Sequence, residues 1–369
     1  MRSETLKYCR YAALRALAVL VAVTALTGCD NAIYDDEGDC DIHYRLRFVY
    51  DYNLNWTDAF AHHVHSVAVY AFRPDGTFAW QREESGMHLA ADGYTMSLDG
   101  VEPGEYRLIA WCGMENSFLG EQPESFTLPE LTPGVSTERE LRCRMERERR
   151  EMDGTAHSSV DLWPLFHGMV ADVTIIDPES PEADGQTVTY TCRLMKDTNR
   201  IRVILQQLSG ADLDVDDFTF TITSDNGHMA HDNAVLDDET ITYHPHHTES
   251  AVAGIGKPEP AAEGRADEPE YTPVRAAIAD LTVARLIYGR PMTLTVRNTV
   301  GETVASIPLV DYAVMVRGNY DEPMDEQEYL DREDTYTLTF FLDRNQKWSG
   351  VSVYINTWRV VSSDVEIHT

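Results

Sequence analysis

Several features are missing from this chain of 369 residues, and each absence removes a class of function. No apolar run reaches the ~20 residues that a membrane-crossing helix needs. No Cys-x-x-Cys pair occurs, which removes the common spacing of thiolate zinc and redox sites. There is no Gly-x-Ser-x-Gly elbow for acyl chemistry and no glycine-rich loop leading into a helix to cradle a phosphate. Positive charge is scarce: 30 Lys and Arg face 62 Asp and Glu, a net charge of −32. Such a field repels nucleic acid and anionic headgroups, so neither is an expected partner. In so acidic a chain, neighbouring carboxylates carry no diagnostic value for acid–base catalysis. Two histidine groups, His62-His63-Val64-His65 and His244-Pro245-His246-His247, have suitable donors for zinc or copper, but the surrounding sequence supplies no rigid frame. They read as solvated residues. No catalytic residue, metal site or cofactor is expected, and the chain does not read as an enzyme.

What is present begins at the start of the chain. Arg2, Lys7, Arg10 and Arg15 surround the head of an apolar run from Ala16 to Ala25, too short to span a bilayer, which ends in Leu26-Thr27-Gly28-Cys29. Residues 1–28 therefore read as a secretory signal peptide. Its last four residues resemble the bacterial lipobox, which implies cleavage before Cys29 and acylation of the Cys29 thiol by palmitate-like chains. At ~0.8 kcal/mol per buried CH₂, two or three chains make the attachment effectively permanent. This lipid is the only covalent group expected. Residues 29–41 follow as a flexible acidic leader. Cys40, Cys112, Cys143 and Cys192 remain after Cys9 and Cys29 are set aside. Four cysteines in an oxidising compartment allow three complete pairings, and unpaired buried thiols are the other reading, because the last three fall on apolar faces of expected strands.

From there the pattern is one of strands. Tyr44, Leu46, Phe48 and Tyr50 alternate with polar residues, Val67 to Phe72 is a second strand, and Pro74-Asp75-Gly76 turns the chain into a third at Phe78 to Gln81. Short strands recur through Tyr106 to Cys112, Leu141 to Met145 and Met169 to Ile176 without long helical periodicity. Residues 177–185 are polar and proline-bearing, the best linker in the chain. Beyond it strands resume at Val188 to Leu194, Arg200 to Leu205 and Phe218 to Ile222, the last ending at the turn signal Asp225-Asn226-Gly227. Residues 244–273 are rich in Pro, Gly, Ala and Glu and read as a long mobile loop. Pro308 to Val316 and Asp325 to Asp334 suggest short helices, and Asn53 to His65 reads as a loop or a single helical turn. The expected architecture is all-β: a β-sandwich over 42–176 and a second over 186–369. Six tryptophans, Trp56, Trp80, Trp111, Trp163, Trp348 and Trp358, raise glycan stacking as an alternative function, although Trp111 and Trp358 sit at strand positions that suit a core or a sheet edge.

Several segments together resemble the FimB/Mfa-type fimbrial anchor lipoproteins of Bacteroides-like bacteria: Tyr50-Asp51-Tyr52-Asn53, Val67 to Phe72, Pro103-Gly104-Glu105-Tyr106, Ala110-Trp111-Cys112-Gly113, Phe166-His167-Gly168, Gln327 to Glu333 and Ile355-Asn356-Thr357-Trp358. Thr357 departs from the glycine expected there. The resemblance implies two tandem transthyretin-like Greek-key β-sandwich domains and a place at the base of a surface pilus, in the outer membrane and facing outward. It also implies a stalk pilin as partner, held by strand exchange, and a role in limiting fimbria length. Applied to this chain, the alternating Val361, Val365 and Ile367 near the C-terminus would fill the partner's pockets. A last strand that completes its own sheet fits the same residues. The rival function is that of a surface glycan-binding lipoprotein.

Overall fold

Tyr44, Leu46 and Phe48 are buried while Arg47 between them is exposed, so the alternation read from the sequence becomes strand β1 (His43–Val49) in the computed structural model. The structure describes residues 42–114, 124–177, 186–256, 271–320, 323–356 and 358–361. After β1 come helix α1 (Phe60–His63) and strands β2 (Ser66–Phe72), β3 (Phe78–Ser85), β4 (Met96–Ser97) and β5 (Gly104–Cys112). Then follow β6 (Phe126–Thr127), β7 (Cys143–Met145), β8 (Glu148–Arg149), β9 (Ala156–Ser158), β10 (Phe166–Ile175), β11 (Thr187–Lys196) and β12 (Thr198–Gln207). The chain continues with β13 (Phe218–Ser224), β14 (His228–Met229), β15 (Ile241–Tyr243), β16 (His247–Gly256), β17 (Tyr271–Ala284), β18 (Thr293–Asn298) and β19 (Thr303–Pro308). Helices α2 (Leu309–Val314) and α3 (Glu326–Arg332) precede the closing strands β20 (Thr335–Leu342), β21 (Trp348–Ile355) and β22 (Trp358–Val361). The fold is all-β with a few short helices, as expected. No helix among the described residues is long and apolar enough to cross a membrane.

Seven strands form the first sheet in the order β3-β2-β5-β10-β11-β1-β4. Its two edges meet where Arg82 of β3 donates to the Ser97 carbonyl of β4. Every residue of β2 is buried, because each face has its own core to fill. Val67, Val69 and Ala71 alternate with Ala68, Tyr70 and Phe72, and the second set joins Ile109 and Trp111 in one large apolar cluster with β12, β13, β17 and β20. A continuous apolar run is what a strand covered on both sides requires.

The other sheets interleave the two halves of the sequence. One has six strands in the order β16-β17-β12-β20-β21-β22, with β12 and β20 parallel. The second six-stranded sheet runs β19-β18-β13-β15-β9-β8, and a three-stranded one runs β14-β7-β6. Ile201, Val203 and Leu205 of β12 share a core with Phe220 and Ile222 of β13.

Two expectations change here. The boundary at 177–185 falls inside the first sheet, because β10 before it and β11 after it are hydrogen-bonded neighbours from Phe166↔Lys196 to Gly168↔Leu194. Conversely β7 pairs with β14 and β9 with β15, so residues 143–158 are built into sheets of the second half. A polar linker marks where the chain leaves the core, not where one sheet ends. The described residues group accordingly into a short unit of 42–43, 176–177 and 186–188, where His43 N donates to Gln186 O at 2.9 Å, and a large unit containing the rest. The mobile loop expected over 244–273 is also corrected: β16 and β17 pair from His247↔Asp280 to Gly256↔Tyr271, and only 257–270 lie outside the described residues. Pro273 is tolerated because β17 pairs with β12 only from Ala277 onward, leaving one side of the strand without a ladder there.

Two glycines explain sequence segments singled out above. A Cβ on Gly168 would lie 2.6 Å from Cys192 Sγ and 2.7 Å from Arg193 O. Gly113 has φ +84°, and its Cβ would lie 1.8 Å from Pro164 O. Gly113→Ala should therefore cost more than Gly168→Ala, since both meet a backbone oxygen but at Gly113 the approach is 1.8 Å against 2.7 Å and φ is +84°. We expect losses of about 1–3 kcal/mol for Gly168→Ala and more for Gly113→Ala, read from urea unfolding midpoints; equal stability of the two variants would refute the steric account.

Candidate interaction surface

The last three strands build a hairpin stack with an open edge. Tyr336, Leu338, Phe340 and Leu342 of β20 are buried, as are Val353 and Ile355 of β21, and this one-sided burial fixes the register of both. Asp343 closes the turn between them, its carboxylate accepting from Asn345 N at 2.8 Å and Lys347 N at 3.0 Å. Ile355 then pairs with Trp358, so the chain reverses within two residues. Asn356 makes this possible: its φ is +53°, its N donates to Thr337 O at 2.7 Å, and its Oδ1 accepts from Thr337 N at 2.9 Å. Left-handed asparagine is a preferred opening of a two-residue hairpin turn, and the hairpin forms with Thr357 where glycine was expected. Thr357 itself lies outside the described residues.

β22 pairs with β21 from Trp358↔Ile355 to Val361↔Ser352 and has no strand on its other side among the described residues. Its outer row of backbone donors and acceptors is a template for one more strand. Beside it, on β20 and β21, Phe341 and the partly exposed Tyr354 meet edge to face at 5.7 Å.

A buried polar network locks α3, which leads into β20, against the rest. Asp325 caps the helix by accepting from Glu328 N at 2.7 Å. Arg285 grips Asp331 with two bonds of 2.8 Å and donates to Asn233 O at 3.0 Å. Asp197, fully buried, lies 3.8 Å from Arg285 and accepts from Asn233 Nδ2 at 2.8 Å. Gln327 bonds Asp331 at 2.8 Å and Leu286 O at 3.1 Å. Lys196 pairs with Asp334, and Asn199 Nδ2 donates to Glu333 O at 3.1 Å. Residues at the β11–β12 junction thus hold the segment that leads directly into β20. Burial pushes the Asp197 carboxyl up to about 7 even though Arg285 and Asn233 pull it down. Burial likewise pushes Glu333 up to about 7. Burial acts the same way on Asp334, but Lys196 beside it turns the shift downward.

A family model described as fimbrillin-A associated anchor proteins Mfa1 and Mfa2 matches residues 36–364. The chain belongs to this family. Among curated proteins, the minor fimbrium anchoring subunit Mfa2 of Porphyromonas gingivalis is 23% identical over 239 residues, covering 63% of this chain and 67% of that protein. Two solved structures from Bacteroides thetaiotaomicron, described as a putative polysaccharide binding protein and a putative adhesin, both superpose with a TM-score of 0.70. They are 28% and 29% identical, and each match covers 88% of this chain and 99% of the other. The fimbrial anchor protein Mfa2 of P. gingivalis shares the fold, with a TM-score of 0.61 at 16% identity over 88% of this chain and all of that one.

Of the residues singled out in this Mfa1/Mfa2-family chain, Val361 is placed, within the protein's own sheet. Cys29, Val365 and Ile367 lie outside the described residues, as does Cys40. Cys112, Cys143 and Cys192 are buried free thiols. His63 contacts Tyr50, and His244 contacts His157. Trp111 is fully buried while Trp56 is 47% exposed. Sequence reading missed Asp197, Arg285 and Asn233 altogether, because no local pattern announces groups that meet only in the fold.

The network makes stability depend on pH in a definite direction. Asp197 keeps its proton to about pH 7 in the fold, against an ordinary 3.8. Between those values the folded chain binds more protons than the unfolded one, so this group's contribution falls as pH rises. Asp197→Asn should be near neutral at pH 4 and stabilising by about 1–3 kcal/mol at pH 8. Thermal melts across that range check it; a wild-type slope retained in the variant would refute the assignment.

Proposed function

We propose that this chain is a lipid-anchored base for a surface fimbria. Acyl chains on Cys29 hold it in the outer membrane, the acidic leader spaces it from the surface, and the open edge of β22 receives a strand of the lowest stalk pilin. The observation that carries this reading is a strand edge that has no partner among the described residues, in a member of a fimbrial anchor family. β-Augmentation of that edge gives affinity through main-chain bonds; in the rival arrangement the tail is the donor, and Val361, Val365 and Ile367 fill the partner's pockets. A subunit fixed to the membrane ends the polymer at one end, which also limits its length. The part played by the chain is binding and holding, with no catalytic step.

Two deletions separate the edge from the tail beyond it. Removing 362–369 leaves β22 in place, and removing 358–369 takes it away. If the edge is the dock, only the longer deletion moves most of the pilin from cells to the culture medium, with unchanged lipidation and thermal midpoint. If the tail is the donor, both do so. Retention of fimbriae by a folded protein lacking 358–369 would overturn the proposal.

Cys29→Ala tests the tether separately. The variant should lose acyl mass, partition away from membranes and shed its fimbriae; membrane retention of the unacylated protein would refute lipid attachment.

A further inference from the structure

Two segments far apart in sequence, 50–56 and 326–332, meet at a surface depression that the anchoring role does not use. The guanidinium carbon of Arg332 lies 3.6 Å from the Trp56 ring centre and 4.0 Å from that of Tyr52. Arg332 itself is buried and bonds Glu328 at 2.8 Å. One face of the indole is therefore covered, and Trp56, 47% exposed, presents its opposite face to solvent. The depression has a volume of about 420 Å³, within the range of small-ligand sites. Its rim adds Asp51, Arg193 and the half-buried Met195.

The loop that carries Trp56 is held in advance. Buried Asn53 donates to Tyr50 O and Thr57 O, both at 2.9 Å, and accepts from Asn55 N at 3.0 Å. Asp58 accepts from Tyr50 N at 3.0 Å and Phe60 N at 3.1 Å. Within this frame Trp56 has φ +53°, a left-handed conformation that is unfavourable for a bulky residue. Backbone strain of this kind persists where the surroundings impose it and concentrates at binding sites. A large apolar ring is thus kept in water, at an energetic cost, in one orientation.

The charges decide what such a ring receives. Arg332 is matched by Glu328, and Arg193 is matched by Asp51, so the site has no unpaired charge to attract an anion. An exposed, rigid indole face with carboxylate, guanidinium and phenol groups at its edge suits a neutral ring that has one apolar face and hydroxyls around its rim. We propose that the Trp56–Tyr52–Arg332 depression binds a neutral pyranose unit of a polysaccharide, with the sugar stacked on Trp56 and its hydroxyls bonded by Asp51 and Arg193. This binding is independent of the β22 edge.

Affinity electrophoresis of the full-length mature protein through gels containing a neutral glucan, mannan, galactan or xylan tests it, with polygalacturonate and an acidic peptide as the anionic comparisons. The expected result is retardation by at least one neutral polymer, weakened at least about tenfold by Trp56→Ala and partly kept by Trp56→Phe. Trp56→Asn serves as the folding control, because asparagine accepts a left-handed backbone readily; it should keep or raise the thermal midpoint while losing retardation. Migration unaffected by every neutral polymer, retardation unchanged in Trp56→Asn, or retention by the anionic ligands alone would each overturn the proposal.

Discussion

The structure depends on one guanidinium placed between two buried carboxylates. Arg285 leaves the end of β17 and grips Asp331 on α3 with two bonds, while Asp197, between β11 and β12, lies 3.8 Å from it. Removing Arg285 or Asp331 leaves a buried charge without compensation, typically a loss of about 3–5 kcal/mol. One cation cannot fully offset two anions in a medium of low polarity, and Asp197 resolves this by holding its proton. Because β11 belongs to the first sheet and β12 and β17 to another, this cluster ties the first sheet to the helix that positions β20 and, through it, the open edge. Asn226 performs a similar service deeper in the core, where it accepts from the Tyr243 hydroxyl at 2.7 Å and donates to the Ala284 and Arg285 carbonyls.

Much of the architecture was legible in the chain, for a physical reason. Strand burial imposes a period of two, and that period is local, so β1, β13 and β20 can be read directly. Turn chemistry is local as well, as at Asp75, whose carboxylate accepts from Thr77 N at 2.9 Å. Sheet membership is not local. Nothing in Cys143 to Met145 announces a partner at His228–Met229, and a proline-bearing polar stretch looks alike whether it separates domains or joins two neighbouring strands. The hairpin of β16 and β17 escaped notice because its strands draw on Ala, Gly and Glu, so pairing and not side-chain pattern defines it.

The candidate sites divide in the same way. The lipidation signal proposed at Leu26 to Cys29 is a contiguous pattern, and a contiguous pattern can be picked out by eye. The edge at β22 was not legible: the alternation of Val361, Val365 and Ile367 falls mostly outside the described residues, and only the pairing with β21 and the sheet order place the strand at Trp358–Val361, with one side free among the described residues. The stacking of Trp56 on Arg332 could not be foreseen, since it needs a left-handed residue in one loop and a helix arriving from the far end of the chain. The indole was visible as an aromatic residue, but its exposure was not.

Strand exchange between the halves has a consequence for how the molecule comes into being. Early strands β7 and β9 wait for β14 and β15, and β10 waits for β11, so a nascent N-terminal portion emerging from a ribosome or a translocation pore has no complete sheet to settle into. Long-range pairing of this kind slows folding and prolongs the lifetime of unpaired strands. Chaperones that shield unpaired strands are the natural guardians of such a chain until β14 and β15 have been made.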